Sequence, residues 1–247
     1  MQTDRLPLVF VHAFPMGPGM WRAQLEAVRD RPVLAPPLAG FDRHPRIAEP
    51  TMEGYAQDLL ATLDRQRIDR AIFCGLSLGG YVLFGMLRQA PERVLGLVLA
   101  DTRTTVDTPD RLAARYRSIE KVRTEGPQAI ADEMGPGLVS PETHAKRPQV
   151  DAEIRRLIES QSGDAIADGL QAMITRPDSA PVLATVHVPT LIIVGSEDTI
   201  TPVSDAGSMH LAIPGSRMVV LPGVGHMSNM EAPLEFNEAL TEFLQGF

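Results

Sequence analysis

Six short apolar runs punctuate the chain, at Leu6–His12, Pro32–Ala35, Ala71–Cys74, Val94–Ala100, Pro189–Val194 and Arg217–Leu221. Each is brief and bounded by Gly, Pro or polar residues, which suits strands buried on both faces of a sheet. Between them, apolar residues recur at helical spacing. Met20–Arg29 places Trp21, Leu25 and Val28 on one face, and Thr51 is a natural N-cap for a helix through Asp64 carrying Tyr55, Leu59, Leu60 and Leu63. Tyr81–Gln89, Val203–Ala212 and Pro233–Leu244 read as further helices. Strand and helix alternate from the start of the chain to Ala100, which predicts an α/β fold with a mostly parallel sheet of about six strands and helices on both faces.

The alternation stops at Asp101. From Thr102 to about Val186 no apolar run reads as a strand. Instead Arg111–Glu125, Ala129–Met134, Asp151–Gln161 and Ala165–Ile174 have helical patterning, separated by Gly/Pro punctuation. Such a segment is too long for an ordinary connection. The expected organisation is therefore a core of residues 1–101 and 187–247, with residues 102–186 as a helical lid over the carboxyl ends of the strands.

Those carboxyl ends carry the chemistry. The run before Cys74 leads into Gly75-Leu76-Ser77-Leu78-Gly79-Gly80 and then into a helix. A strand, G-x-S-x-G and a helix in succession form a nucleophile elbow, with the serine at the tight turn. Asp198 follows the fifth strand and His226 follows the sixth. A serine hydroxyl is a weak nucleophile until a neutral imidazole takes its proton, and a carboxylate fixes the imidazole's tautomer and orientation. Ser77, Asp198 and His226 are thus the candidate nucleophile, acid and base. The oxyanion formed on attack needs preorganised donors, and the backbone N–H groups of Phe14 and Leu78 are the candidates.

Composition narrows the partners. The net charge is −8, and no Lys/Arg run is dense enough for a nucleic-acid surface. Cys74 is the single cysteine and reads as a buried small hydrophobe, so no disulfide or cysteine-based metal site is expected. The N-terminal stretch lacks the layout of a signal peptide, and the apolar runs are too short to span a bilayer. A cytoplasmic protein without cofactor, metal, nucleic-acid or membrane partner is expected, as a monomer or small homo-oligomer.

VHAFPMG (11–17), GLSLGG (75–80), VGSEDTITP (194–202) and GVGHMSNMEAP (223–233), in this order, resemble the motifs of α/β-hydrolase-fold serine carboxylesterases. LVLADTRTTVDTP (97–109), followed by RTEGP (123–127), resembles more narrowly a bacterial branch often labelled 3-oxoadipate enol-lactonase-like. The resemblance implies cofactor-free hydrolysis of small carboxylic esters. Three features depart from it. The family's N-terminal hairpin is absent or truncated, which leaves a sheet edge open. Ala13 replaces the usual Gly after the oxyanion-loop histidine, a strain if that position needs positive φ. Pro36-Pro37-Leu38-Ala39-Gly40 replaces a charged loop.

The expected activity is hydrolysis of short, uncharged acyl esters, since no basic cluster stands out for a charged acid. A lactonase with the same triad is the alternative, with Arg103 as the cation for a substrate carboxylate. A slow-turnover small-molecule sensor on the same fold is the alternative from another class. Phe14, Trp21, Met134, Leu138 and Met173 are candidate pocket residues, although packing on its helix face is the plainer role for Trp21. Asp101 also ends a strand and is the second candidate for the acid, although a bond to the start of the lid is the plainer role for it. His12 is expected to shape the oxyanion loop, and Arg103 to form a structural salt bridge.

Overall fold

The computed structural model describes residues 5–247. The chain runs β1 (Leu8–Val11), α1 (Arg22–Ala27), β2 (Val33–Leu34), α2 (Met52–Arg65), β3 (Ala71–Leu76), α3 (Leu78–Gln89) and β4 (Val94–Ala100). Six helices follow: α4 (Pro109–Glu125), α5 (Pro127–Met134), α6 (Pro141–Lys146), α7 (Pro148–Glu159), α8 (Gly163–Ile174) and α9 (Ala180–Leu183). The chain then resumes with β5 (Thr190–Gly195), α10 (Val203–Ala212), β6 (Arg217–Leu221), α11 (Ser228–Glu231) and α12 (Pro233–Leu244).

The six strands form one parallel sheet in the order β2-β1-β3-β4-β5-β6. Every residue of β1, β3 and β5 is buried, as expected of strands covered on both faces. The edges differ. β2 has two half-buried residues, and β6 is partly exposed, with Val220 open to solvent. Thr51 caps α2 as its sequence predicts, its Oγ1 accepting the Gly54 N–H at 3.0 Å. Cys74 is fully buried in β3.

Several boundaries differ from those the pattern predicts. The helix after the elbow starts at Leu78 rather than Tyr81, and α7 starts at Pro148 rather than Asp151. In both, the first turn contains residues that periodicity reads as loop; proline suits a helix's first position because its missing N–H would have no partner there. Helices α6, α9 and α11 have no counterpart in the sequence reading, being too short to show a period.

The elbow is tight because two backbones touch. A Cβ on Gly79 would lie 2.1 Å from the Val11 carbonyl oxygen, and one on Gly75 2.7 Å from the backbone of Gly79. The first turn of α3 therefore packs directly on the end of β1 and brings the elbow against the His12–Phe14 loop.

Candidate active site

Ser77 sits between β3 and α3 with φ 54° and ψ −111°, a strained conformation for a residue with a side chain. The strain is held from several sides. Ser77 N–H donates to the Ala100 carbonyl at 3.0 Å, and its carbonyl accepts from Gly80 N–H and Thr102 Oγ1, both at 2.9 Å. Its hydroxyl points at His226, with Oγ 2.9 Å from Nε2.

The other ring nitrogen of His226, Nδ1, is 2.8 Å from Asp198 Oδ2. Asp198 follows β5 in a turn that satisfies its carboxylate. Oδ1 accepts from the backbone N–H groups of Ile200 (2.8 Å) and Thr201 (3.0 Å), and Oδ2 accepts from Thr201 Oγ1 at 2.6 Å. Burial alone would push this carboxyl's pKa up, but the His226 ring and the Thr201 bonds outweigh it and hold the group below its usual range. All three side chains are buried, Ser77 with 9% exposure.

Phe14 lies on the loop after β1 and lines the cavity at Ser77, and Leu78 opens α3 directly after Ser77. Among the described residues, neither backbone N–H donates a hydrogen bond within the chain. Ala13 has no positive φ, so the alanine in place of glycine introduces no strain of that kind. His12 braces the loop: Nε2 accepts from Leu38 N–H and Nδ1 bonds to the Ala13 carbonyl, both at 3.0 Å. Full burial lowers its pKa to about 4, so the ring is neutral.

A cavity of about 300 Å³ opens above Ser77 and His226. Phe14, Met134, Leu138 and Met173 line it, together with Tyr81 and Leu170. Three recesses of larger volume, about 390, 650 and 500 Å³, lie elsewhere on the surface and contain none of Ser77, Asp198 and His226. Trp21 is not in the cavity. It is fully buried in the core, its ring centroid 4.8 Å from Phe10 and 6.1 Å from Phe236. This is the packing role its helical spacing favours, not the pocket role.

Asp101 makes no bond to His226. Its carboxylate accepts from Gly195 N–H at 2.9 Å and from Ser228 Oγ, so it ties the end of β5 to the segment after the histidine rather than to the insertion.

The lining also corrects the expectation that no basic cluster stands at the site. Arg103, Arg111 and Arg115 all reach the cavity. Arg103 Nη2 donates to Asp107, giving the salt bridge expected of it. Arg111 spends both terminal nitrogens on the Ile200 carbonyl, and Arg115 is held by Asp107 and Met173 Sδ. Arg103 is different. Its Nε is buried without a partner, and its Nη1 makes no hydrogen bond among the described residues. The signal for this cluster lay in the Arg111–Arg115 spacing of four, which puts both on one face of α4.

A sheet whose strand ends present a serine at an elbow, then a carboxylate and an imidazole, in that chain order, defines a hydrolase architecture. The chain matches the alpha/beta hydrolase family over residues 8–239 and belongs to it. It is 26% identical to 3-oxoadipate enol-lactonase 2 of Acinetobacter baylyi over 248 aligned positions, covering 100% of this chain and 91% of that protein. Among solved structures it resembles a thermophilic esterase from Thermogutta terrifontis determined with malate bound, at 38% identity and a TM-score of 0.94, covering 98% of this chain and 90% of that one. It also resembles the enol-lactonase from Burkholderia xenovorans LB400, at 26% identity and a TM-score of 0.90, covering 98% and 92%. Among the described residues no helix is long and apolar enough to cross a membrane.

Proposed function

We propose that this hydrolase is a serine carboxylester hydrolase working through an acyl-enzyme on Ser77. The hydrogen-bonded line Ser77 Oγ–His226 Nε2 and His226 Nδ1–Asp198 Oδ2 carries this reading. His226 takes the hydroxyl proton as Ser77 attacks the ester carbonyl. Asp198 keeps the ring in the tautomer whose Nε2 can accept that proton and stabilises the imidazolium that results. The N–H groups of Phe14 and Leu78 receive the oxyanion. His226 passes its proton to the leaving alcohol, then activates a water that releases the acid and restores Ser77. The helices of residues 102–186 act as the lid, supplying the cavity wall through Met134, Leu138 and Met173. In a p-nitrophenyl ester series, Ser77→Ala is expected to lose about 10⁶-fold in kcat and to lose labelling by a fluorophosphonate. Turnover that survives Ser77→Ala refutes the reading.

A second reading concerns the acyl part, and Arg103 supports it. A buried guanidinium with free Nε and Nη1 suits a substrate carboxylate, as in a half-ester or an acidic lactone. The relatives bear on this: one is named for an enol-lactone, and one neighbour was determined with the dicarboxylate malate. Arg103→Ala should lower kcat/KM on a dicarboxylic half-ester by about tenfold to a hundredfold, since a hydrogen bond to a charged group contributes about 1.5–3 kcal/mol. It should leave the neutral ester of equal length nearly unchanged. Equal losses on both substrates would show that Arg103 is structural, and the short neutral acyl ester would then stand as the substrate.

A further inference from the structure

The loop that carries His226 is tied to the helical insertion directly on one side and through Glu231 on the other. On its C-terminal side, Met227 N–H donates to the Leu138 carbonyl at 2.7 Å. On its N-terminal side, Gly225 N–H donates to Glu231 Oε2 at 2.8 Å. The same carboxylate accepts from Ser140, through its backbone N–H (3.1 Å to Oε2) and its hydroxyl to Oε1. The fit is close: a Cβ on Gly225 would lie 2.5 Å from Ser140 N and from the Val139 carbonyl carbon. Glu231 is fully buried. The charged groups around it are the Arg147 guanidinium, 3.8 Å from Oε1, and Asp101, whose carboxyl is pushed up mainly by its own burial, then by Asp198 and in a smaller part by Glu231. Glu231 does not line the cavity above Ser77, so the proposed chemistry does not use it directly.

We propose that Glu231 is a positioning residue for His226. Its carboxylate ties the backbone before the histidine to Ser140, while Leu138 holds the backbone after it. Leu138 also lines the cavity. The wall that meets the acyl group and the imidazole that takes the serine proton are therefore parts of one hydrogen-bonded unit. Any opening of the insertion hinges away from the 138–140 segment, because release there would pull His226 off Ser77. A buried carboxylate does this better than a neutral group. It accepts several bonds at once, and bonds to an ionised acceptor are shorter and stronger.

The inference rests on His226 being the base of the proposed reaction, so the test begins with fluorophosphonate labelling of the intact wild-type protein. No labelling of Ser77 would sink that reading and leave the Glu231 bonds without a catalytic consequence. With labelling established, Glu231→Gln and Ser140→Ala are compared by kcat per labelled site, KM and the acidic limb of the kcat/KM profile. Glu231→Gln is expected to lower kcat by about tenfold to a hundredfold, the loss that a misplacement on the ångström scale produces. KM for a short neutral ester should hardly move. Ser140→Ala removes no charge, so any displacement of the acidic limb in that variant comes through the placement of His226. The limb is expected to move to lower pH, because a looser bond to Asp198 stabilises the imidazolium less. Should Glu231→Gln misfold, Ser140→Ala decides alone. Variants that lose thermal stability while kcat per labelled site and the acidic limb stay at wild-type values would overturn the proposal.

Discussion

At the carboxyl end of β1, His12 is buried as a neutral ring. At the entrance to the helical insertion, Asp107 is buried as a charge. The first is satisfied by backbone, one ring nitrogen on Leu38 N–H and the other on the Ala13 carbonyl. The second is satisfied by side chains, from Arg103, Arg115 and Arg176. The sheet rim and the insertion thus solve one problem, a polar group out of water, by opposite routes. A neutral ring held by main chain keeps a loop in one conformation, which suits donors that must not move. An ionised cluster on long side chains can place several guanidinia at a cavity wall, which suits a surface that selects among substrates. The proposed reaction draws its donors from the first region and its specificity from the second.

The largest effect expected from breaking this contrast is at Asp107. Burial would raise its pKa, but Arg176 and Arg115 outweigh that and hold the carboxyl well below the ordinary range. Asp107→Asn would leave buried guanidinia facing an uncharged partner, and losing one member of such a cluster costs about 3–5 kcal/mol. Urea unfolding at neutral pH measures it. Because the folded pKa lies below the unfolded one, the wild-type contribution is fully present above about pH 4 and is lost only as pH falls further. A loss within the range of an exposed pair, under about 1 kcal/mol, would mean that water reaches the cluster and that the contrast with His12 fails.

The same contrast explains what the sequence could reveal. Ser77, Asp198 and His226 each lie in a local motif at the end of an apolar run, and a strand that must end in a particular loop leaves a short, readable signature. His12 is legible for the same reason. Asp107 and Glu231 are not. Asp107 gains meaning from Arg176, and Glu231 from Ser140, partners far along the chain that come close only when the insertion folds back on the core. Arg103 reads correctly as a salt bridge, yet its two unpartnered nitrogens are visible only once the cavity is formed. Trp21 is legible as a packing residue from its helical spacing, but that spacing does not say that Phe10 and Phe236 are what it packs against. In the core, backbone topology does the placing, and topology follows the alternation of apolar runs. In the insertion, side-chain pairing does it, and pairing has no period.

The smaller expected effect is at His12, and it separates the two regions by pH. An unfolded histidine titrates near 6.5, whereas burial holds His12 at about 4 in the folded chain. The neutral ring is therefore favoured in the folded state over the whole interval between these values. Its contribution to stability is fully present above about pH 6.5 and is lost as pH falls toward 4, well before Asp107 begins to protonate. Unfolding free energies measured from pH 7.5 down to 4.5 should fall by about 2–3 kcal/mol more in the wild type than in His12→Asn. The variant should start from a lower value at pH 7.5, because an amide replaces only part of the link between the Leu38 loop and Ala13. His12 ring signals in NMR should stay those of a neutral imidazole through the same interval. If wild type and His12→Asn lose stability in parallel, the acid sensitivity comes from other groups, and the neutral-ring description of the sheet rim is wrong.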